Sequence, residues 1–369
     1  MHGCLGISVY PGQAPVERFV QYVNKAADLG FSRVFTCLIS VEKGDALFED
    51  FKTICQIAAD RGMAVVADVS PEVFEKLELK YDELDFFKDL GLAGIRLDLG
   101  FSGMEESFMT LNEAGLSIEL NMSNGTKYLE NILSYVPDHS KLLGCHNFYP
   151  HRYTGLDRDH FLKCSAQFKA QNIRTAAFVS AGHDTFGPWP VNEGLCTLEE
   201  HRNLPMDIAA KDLFATGLID DVIVANCFPS DQALEALSRV NKNRLELKVE
   251  LVEDIPPTEK TIVVDEPHFN RGDVSAYMIR STQSRVKYKG AGFPTFNTPP
   301  IKRGDILIES DLYTRYAGEM QIALKDMENS GRTNVVGRIA PEEVFLLDTI
   351  QPWQKFRLVE KKEESTDEA

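Results

Sequence analysis

The 369-residue chain has no run of about 18 apolar residues, the length that a membrane-spanning helix needs. Its start, Met1-His-Gly-Cys-Leu-Gly-Ile, lacks the basic-then-apolar order of a signal peptide, so the expectation is a cytoplasmic protein with no membrane partner. Positive charge is scarce: 39 Lys and Arg stand against 56 Asp and Glu, a net charge of -17. A field of that sign repels phosphate backbones and anionic lipid, which excludes nucleic acid as a partner. A small anion is still admissible, because a few local Arg or backbone N–H groups outweigh a distant, screened field. The seven cysteines are odd in number and scattered, with no C-x-x-C pair, so neither a disulfide framework nor a structural zinc site is signalled. There is also no G-x-G-x-x-G after the first apolar run, which argues against a doubly wound dinucleotide fold.

What is present is ample material for a core: 43% hydrophobic and 9% aromatic residues, in a chain long enough for about two domains at roughly 150 residues each. Up to residue 238 one unit recurs, a short apolar run, a polar loop and a longer helical pattern. The runs are LGISVY (5–10), RVFTCLIS (33–40), MAVVADVS (63–70), GIRLDLG (94–100), LSIELNMS (116–123), LLGCHNF (142–148), RTAAFVS (174–180) and DVIVANC (221–227). Intervening segments such as VERFVQYVNKAADLG (16–30) are apolar at i, i+3 and i+4 and closed by Gly. Eight such units predict a (β/α)8 TIM barrel over residues 1–240. After residue 240 come short alternating runs between Gly, Pro, Asn and Asp, among them LELKVELVED, TIVVDEP, DILIES and VFLLDTI. They predict a smaller all-β barrel domain over 241–359, with the charged tail 360–369 disordered.

In a parallel barrel the chemistry sits at the C-terminal ends of the strands, so strand alternation selects the candidates. Ile95, Leu97 and Leu99 oppose Arg96 and Asp98; Ile118 and Leu120 oppose Glu119, Asn121 and Ser123. The polar sets are expected to face inward, joined by Ser8 and Tyr10 on the first strand, Thr36 and Ser40 on the second, and Asp68 and Ser70 on the third. Later strands add His146, Ser180 and Asn226. Asp68, Asp98 and Glu119 lie on successive strands, and three buried anions have no stabilising logic unless they share protons, Arg96 or a metal. With strands ~4.8 Å apart, Asp98 and Glu119 are expected roughly 5 Å apart, the retaining-glycosidase separation, and Asp68 and Glu119 nearer the inverting one. In this reading Glu119 is the general acid, Asp98 the nucleophile or base, and Asp68 a tuning group. A structural Arg96–Asp98 pair is the plainer alternative, and His146 beside the acids permits a divalent metal. No Lys sits on a strand end, which disfavours Schiff-base chemistry.

Two long aromatic loops follow the sixth and seventh strands, HNFYPHRYTGL (146–156) and SAGHDTFGPWPVNEGLCTLEEHR (180–202). Tyr149, Tyr153, Phe186 and Trp189 suit stacking on sugar rings; Arg152, His183, Glu193 and Arg202 suit polar contacts. In the second domain Arg271, Arg280, Ser281 and Thr282 suit an anion.

The segments LGISVYP, DVSP, IRLDLG, ELNMSNGT, CHNFYPHRYTGL, GPWPVNEGLCTLEEHR, HFNRGDVSAYMIRST and QPWQKF together resemble the 6-phospho-N-acetylmuramidase family over about residues 3–358. The resemblance implies a TIM barrel followed by a cyclophilin-like β-barrel domain. It also implies a cytoplasmic enzyme of peptidoglycan recycling that cleaves the 6-phosphorylated disaccharide of N-acetylmuramic acid and N-acetylglucosamine, with no cofactor. Arg96, Arg152, Arg202, Arg271 and Arg280 are the cations available for such an anionic substrate. Two other readings stay open: a metal-dependent sugar-phosphate isomerase with Asp98, Glu119 and His146 as ligands, and a non-catalytic phosphosugar-binding protein.

Overall fold

A computed structural model describes residues 3–38, 46–182, 185–188 and 190–361. The chain divides into two compact units, 1–240 and 241–369. In the first, eight parallel strands close into a barrel in sequence order: β1 Cys4–Ser8, β2 Arg33–Cys37, β3 Ala64–Val69, β4 Gly94–Leu97, β5 Ser117–Asn121, β6 Leu142–Cys145, β7 Arg174–Val179 and β8 Asp221–Val224. Helices α1 Val16–Asp28, α2 Ala46–Asp60, α3 Pro71–Lys76, α4 Asp85–Asp89, α5 Met104–Met109, α6 Tyr128–Ser134, α7 Arg158–Ala170, α8 Met206–Ala215 and α9 Asp231–Ser238 fill the crossovers. In α1 the buried residues Phe19, Tyr22, Val23 and Ala26 recur at helical spacing, and Gly30 at φ 83° follows its end.

Register fixes depth as well as face. Cys37, Asp68, Arg96, Glu119, Leu143 and Arg174 are successive pairing partners from β2 to β7. Because barrel strands tilt, that line runs from the last residue of β2 to the first residue of β7 and steps steadily toward the N-terminal end. Asp68 therefore lies near the mouth and Glu119 well below it.

The N-terminal end is closed by a charge layer. Asp221 accepts from Arg33 Nη1 at 3.1 Å, from Arg174 Nε at 2.9 Å and Nη2 at 2.6 Å, and from the Cys4 amide at 3.2 Å. Burial would lift the Asp221 carboxyl; the Arg33 and Arg174 guanidiniums outweigh it and hold the group below its ordinary value. The other arm of Arg33, Nη2, is paired with Glu119 Oε2, and both side chains are buried. Phe35 and Phe178 meet edge-to-face inside the barrel at 5.0 Å, with Phe148 at 6.1 and 5.1 Å from them.

The second unit is a mixed sheet that curls into a nearly closed barrel, in the order β10-β15-β9-β14-β12-β13-β11. Its strands are β9 Leu245–Leu251, β10 His268–Phe269, β11 Met278–Ser281, β12 Asp305–Glu309, β13 Met320–Ala323, β14 Thr333–Ile339 and β15 Lys355–Glu360. Two expected strands are helical. TIVV closes the helix α10 Pro257–Val264, whose first position is a Pro that suits a helix start, and VFLLDT lies in a 3-10 segment, Pro341–Thr349, that also starts on Pro. The expected tail begins on Glu360, which ends β15; residues 362–369 lie outside the described ones.

Glu119→Gln leaves the buried Arg33 guanidinium with one carboxylate instead of two. It should lower unfolding free energy by about 2–3 kcal/mol, between the cost of an unsatisfied buried group and that of a broken buried ion pair. Urea denaturation of the variant checks this; an unchanged midpoint would remove Glu119 from the closing layer.

Candidate active site

At the C-terminal end of the barrel the Arg96 guanidinium, 2% exposed, draws three acceptors together. Its Nη1 donates to Asp68 Oδ1 at 2.7 Å and to Asp98 Oδ1 at 3.3 Å, and its Nη2 donates to Asn147 Oδ1. Asn121 Nδ2 donates to Asp98 Oδ1 at 3.2 Å, while Asn121 Oδ1 accepts from the Ser123 amide at 2.9 Å. Since the two aspartate oxygens bond one nitrogen, they lie no more than about 6 Å apart. The carboxylates differ in exposure, 13% for Asp68 and 38% for Asp98. Burial, helped by the Asp98 charge and opposed by Arg96, pushes Asp68 up to about 6.

The loop that carries Asp98 is pinned by a buried carboxylate. Glu106 in α5 accepts from the amides of Phe101 at 2.5 Å and Gly103 at 2.7 Å and from the Tyr128 hydroxyl at 2.6 Å. A Cβ on Gly100 would meet that hydroxyl at 2.0 Å, so the close approach needs glycine there.

The two long loops are joined to each other. The Tyr149 amide donates to the Cys196 carbonyl at 3.0 Å and the Leu156 amide to the Thr197 carbonyl at 2.8 Å. Arg202, buried, uses Nη1 on the carbonyls of Tyr149 at 2.8 Å and Gly194 at 2.9 Å, and Nε and Nη2 on the Glu199 carboxylate at 2.7 and 2.6 Å. Those bonds draw the Glu199 carboxyl down to about 2. Arg152 pairs with Glu193, Nε to Oε1 at 2.8 Å, on the exposed side of the same loops. Burial raises the Tyr149 phenol above its ordinary value.

The other expected site residues fall in several places. Ser8 is buried on β1, and Tyr10 is buried with its hydroxyl donating to the Ala225 carbonyl at 2.8 Å. Asn226 Oδ1 accepts from the Ala181 amide at 2.8 Å and its Nδ2 donates to Asn192 at 3.2 Å, which ties the β7 loop to β8. Trp189, Ser40 and His183 lie outside the described residues. In the second unit Arg271 is paired with Asp273, and Arg280 with buried Glu319 at 2.7 Å.

Three expectations are corrected. Asp98 and Glu119 do not share a site, because the tilt of the barrel sinks Glu119 onto Arg33 while Asp98 stays at the rim with Asp68. His146 faces outward: its Nδ1 meets Ser123 Oγ at 3.2 Å, its Nε2 meets Ser165 Oγ of α7 at 2.9 Å, and burial lowers it to about 3. The inward residues of that stretch are Leu143, Cys145 and Asn147, so the same alternation started one residue earlier would have found Asn147, which the sequence reading missed. Thr36 likewise faces away from Phe35, which points inward. The proposed metal ligands Asp98, Glu119 and His146 are thereby separated. Among the described residues one group has ligand spacing, Glu200, His201 and Asp212, and the Arg158 guanidinium pairs with both of its carboxylates.

Two family models match the chain, 6-phospho-N-acetylmuramidase N-terminal over residues 5–239 and C-terminal over 245–359. A crystal structure of an uncharacterized B. cereus protein is 48% identical, with TM-score 0.90 over 97% of this chain and 100% of that one. A conserved Enterococcus faecalis protein of unknown function is 26% identical, with TM-score 0.70 over 97% of this chain and 96% of that one. No curated protein matches.

Arg202→Ala strands the Tyr149 and Gly194 carbonyls and the Glu199 carboxylate of the joined loops. It should cost about 3 kcal/mol, as for other losses of a buried, hydrogen-bonded charge. Differential scanning calorimetry tests this, and a wild-type melting temperature would show that the loops hold together without Arg202.

Proposed function

The chain belongs to the 6-phospho-N-acetylmuramidase family, and from that premise we propose that it hydrolyses the 6-phosphorylated disaccharide of N-acetylmuramic acid and N-acetylglucosamine. The products are N-acetylmuramic acid 6-phosphate and N-acetylglucosamine. The observation that carries the reading is the pair of aspartates on one guanidinium at the barrel mouth. Two carboxylates of unequal burial beside a single cation are what a glycosidase needs, one holding a proton and one ionised.

In this reading Asp68, pushed up to about 6, protonates the departing glycosidic oxygen. Asp98, the more exposed and hydrogen-bonded by Asn121 and Arg96, attacks the anomeric carbon as the glycosidic bond breaks. Water then displaces Asp98 while Asp68 takes its proton. An upper limit of about 6 Å between the bonded oxygens favours this retaining course, since inverting pairs stand ~6.5–9.5 Å apart to admit water. Glu119, committed to Arg33, supports the strand beneath. The setting we propose is peptidoglycan recycling in the cytoplasm, which the seven free cysteines favour.

The test is incubation with the phosphorylated and unphosphorylated disaccharides, with products read by mass and by NMR of the fresh anomer. The phosphorylated sugar should be preferred at least tenfold in kcat/KM, with retention; equal rates would sink the substrate assignment. Protonated Asp68 is the active form, so activity should fall as pH rises through about 6. Asp68→Asn should lower kcat by about 10²–10⁴ and flatten that limb. A variant that keeps more than a tenth of the wild-type kcat would free Asp68 of the acid role.

A further inference from the structure

The first unit contains nine arginines: 18, 33, 61, 96, 152, 158, 174, 202 and 239. Eight of them are ion-paired with a carboxylate. Arg18 is the exception among the described residues. Its guanidinium lies 4.0 Å from the ring centre of Phe228 and 5.8 Å from that of Phe186, and among the described residues it donates no hydrogen bond.

The seat itself is firmly built. Phe228 adopts φ 57°, and its ring packs at 4.8 Å on Phe19 and 5.3 Å on Tyr22 of α1. Phe186 is bridged to the residue before Phe228, the Cys227 amide donating to the Phe186 carbonyl at 2.7 Å. A guanidinium lying over a ring uses its face for the aromatic and keeps its N–H edge free, the geometry that forks onto a phosphate. Phe186 and Phe228 come from the loops that follow β7 and β8 and Arg18 from the first turn of α1, and in parallel barrels phosphate is frequently bound by the loops after strands 7 and 8.

We propose that Arg18, seated on Phe228 and Phe186, binds the phosphate monoester of the substrate, an inference that rests on the substrate reading above. In the closed ring β7 and β8 stand opposite β3 and β4, which carry Asp68 and Asp98. At ~4.8 Å between strands and ~36° of tilt the eight-strand ring is about 15 Å across. A sugar whose scissile bond lies against the aspartates can then turn its phosphate across the mouth toward Arg18. This also fits the commitments of the other cations: Arg96 to the aspartates and Arg202 to the loops.

Calorimetric titration of the full chain tests the assignment, with three probes: N-acetylmuramic acid 6-phosphate, N-acetylglucosamine 6-phosphate and unphosphorylated N-acetylmuramic acid. Arg18→Ala should weaken both phosphosugars tenfold or more and leave N-acetylmuramic acid unchanged. Arg18→Lys, which keeps the charge without the planar fork, should fall between. The exposed position of Arg18 means that thermal unfolding should stay near wild type. Wild-type affinity of Arg18→Ala for the phosphosugars overturns the inference alone. An equal loss for N-acetylmuramic acid also overturns it, assigning Arg18 to the lactyl carboxylate. If wild type itself binds neither phosphosugar, the substrate reading falls and this inference falls with it.

Discussion

Arg96 sits where two demands on the barrel meet. A parallel barrel must fill its interior, yet the mouth must present polar groups, and an aspartate as little exposed as Asp68 is costly in ionised form. One guanidinium on the adjacent strand answers both. It fills the space between Asp68 and Asn147 and supplies the charge that keeps two carboxylates within hydrogen-bond reach of one another's partner. It also limits them, because one positive charge offsets only one of two negative ones, so the cluster is electroneutral when it holds a single shared proton.

The same accounting explains the floor of the barrel. Arg33 and Arg174 face Asp221 and Glu119, two cations against two anions, so the formal charges of that layer balance. Balance at the N-terminal end and a surplus anion at the C-terminal end divide the interior into a part that holds the fold and a part that can do chemistry. On this view the distinction between Glu119 and Asp68 is not one of residue type or of strand face. It is the depth at which each meets its arginine.

That is also where the sequence stopped being legible. Alternation reports the face of a residue, and it placed Asp68, Arg96, Asp98, Glu119 and Asn121 inward. It does not report depth, which is set by strand tilt and by the shear of the whole ring. Arg33 opens the run RVFTCLIS, and nothing in that pattern marks it as the side chain that fills the barrel floor and partners Glu119. His146 and Thr36 failed for a simpler reason: a one-residue shift in where alternation is started turns every side chain to the other face. The eight-fold βα rhythm survived such local errors because it depends on spacing over tens of residues. In the second unit short apolar runs carried less information, and a Pro at the first turn was enough to make TIVV helical.

Unequal burial then gives direction to the pair at the mouth. Both aspartates touch the same Nη1, so the guanidinium does not by itself distinguish them; what differs is their access to water. Asp68, the more enclosed, is the carboxyl that burial lifts, and Asp98, nearly three times as exposed, keeps solvent and the Asn121 amide to support its charge. A proton taken up by the cluster therefore has its preferred home on β3. In the hydrolysis proposed above, an approaching sugar would meet an acid and an anion already sorted, with no charge to be rearranged before the bond is attacked, and that sorting is the form of preorganisation that electrostatic catalysis requires.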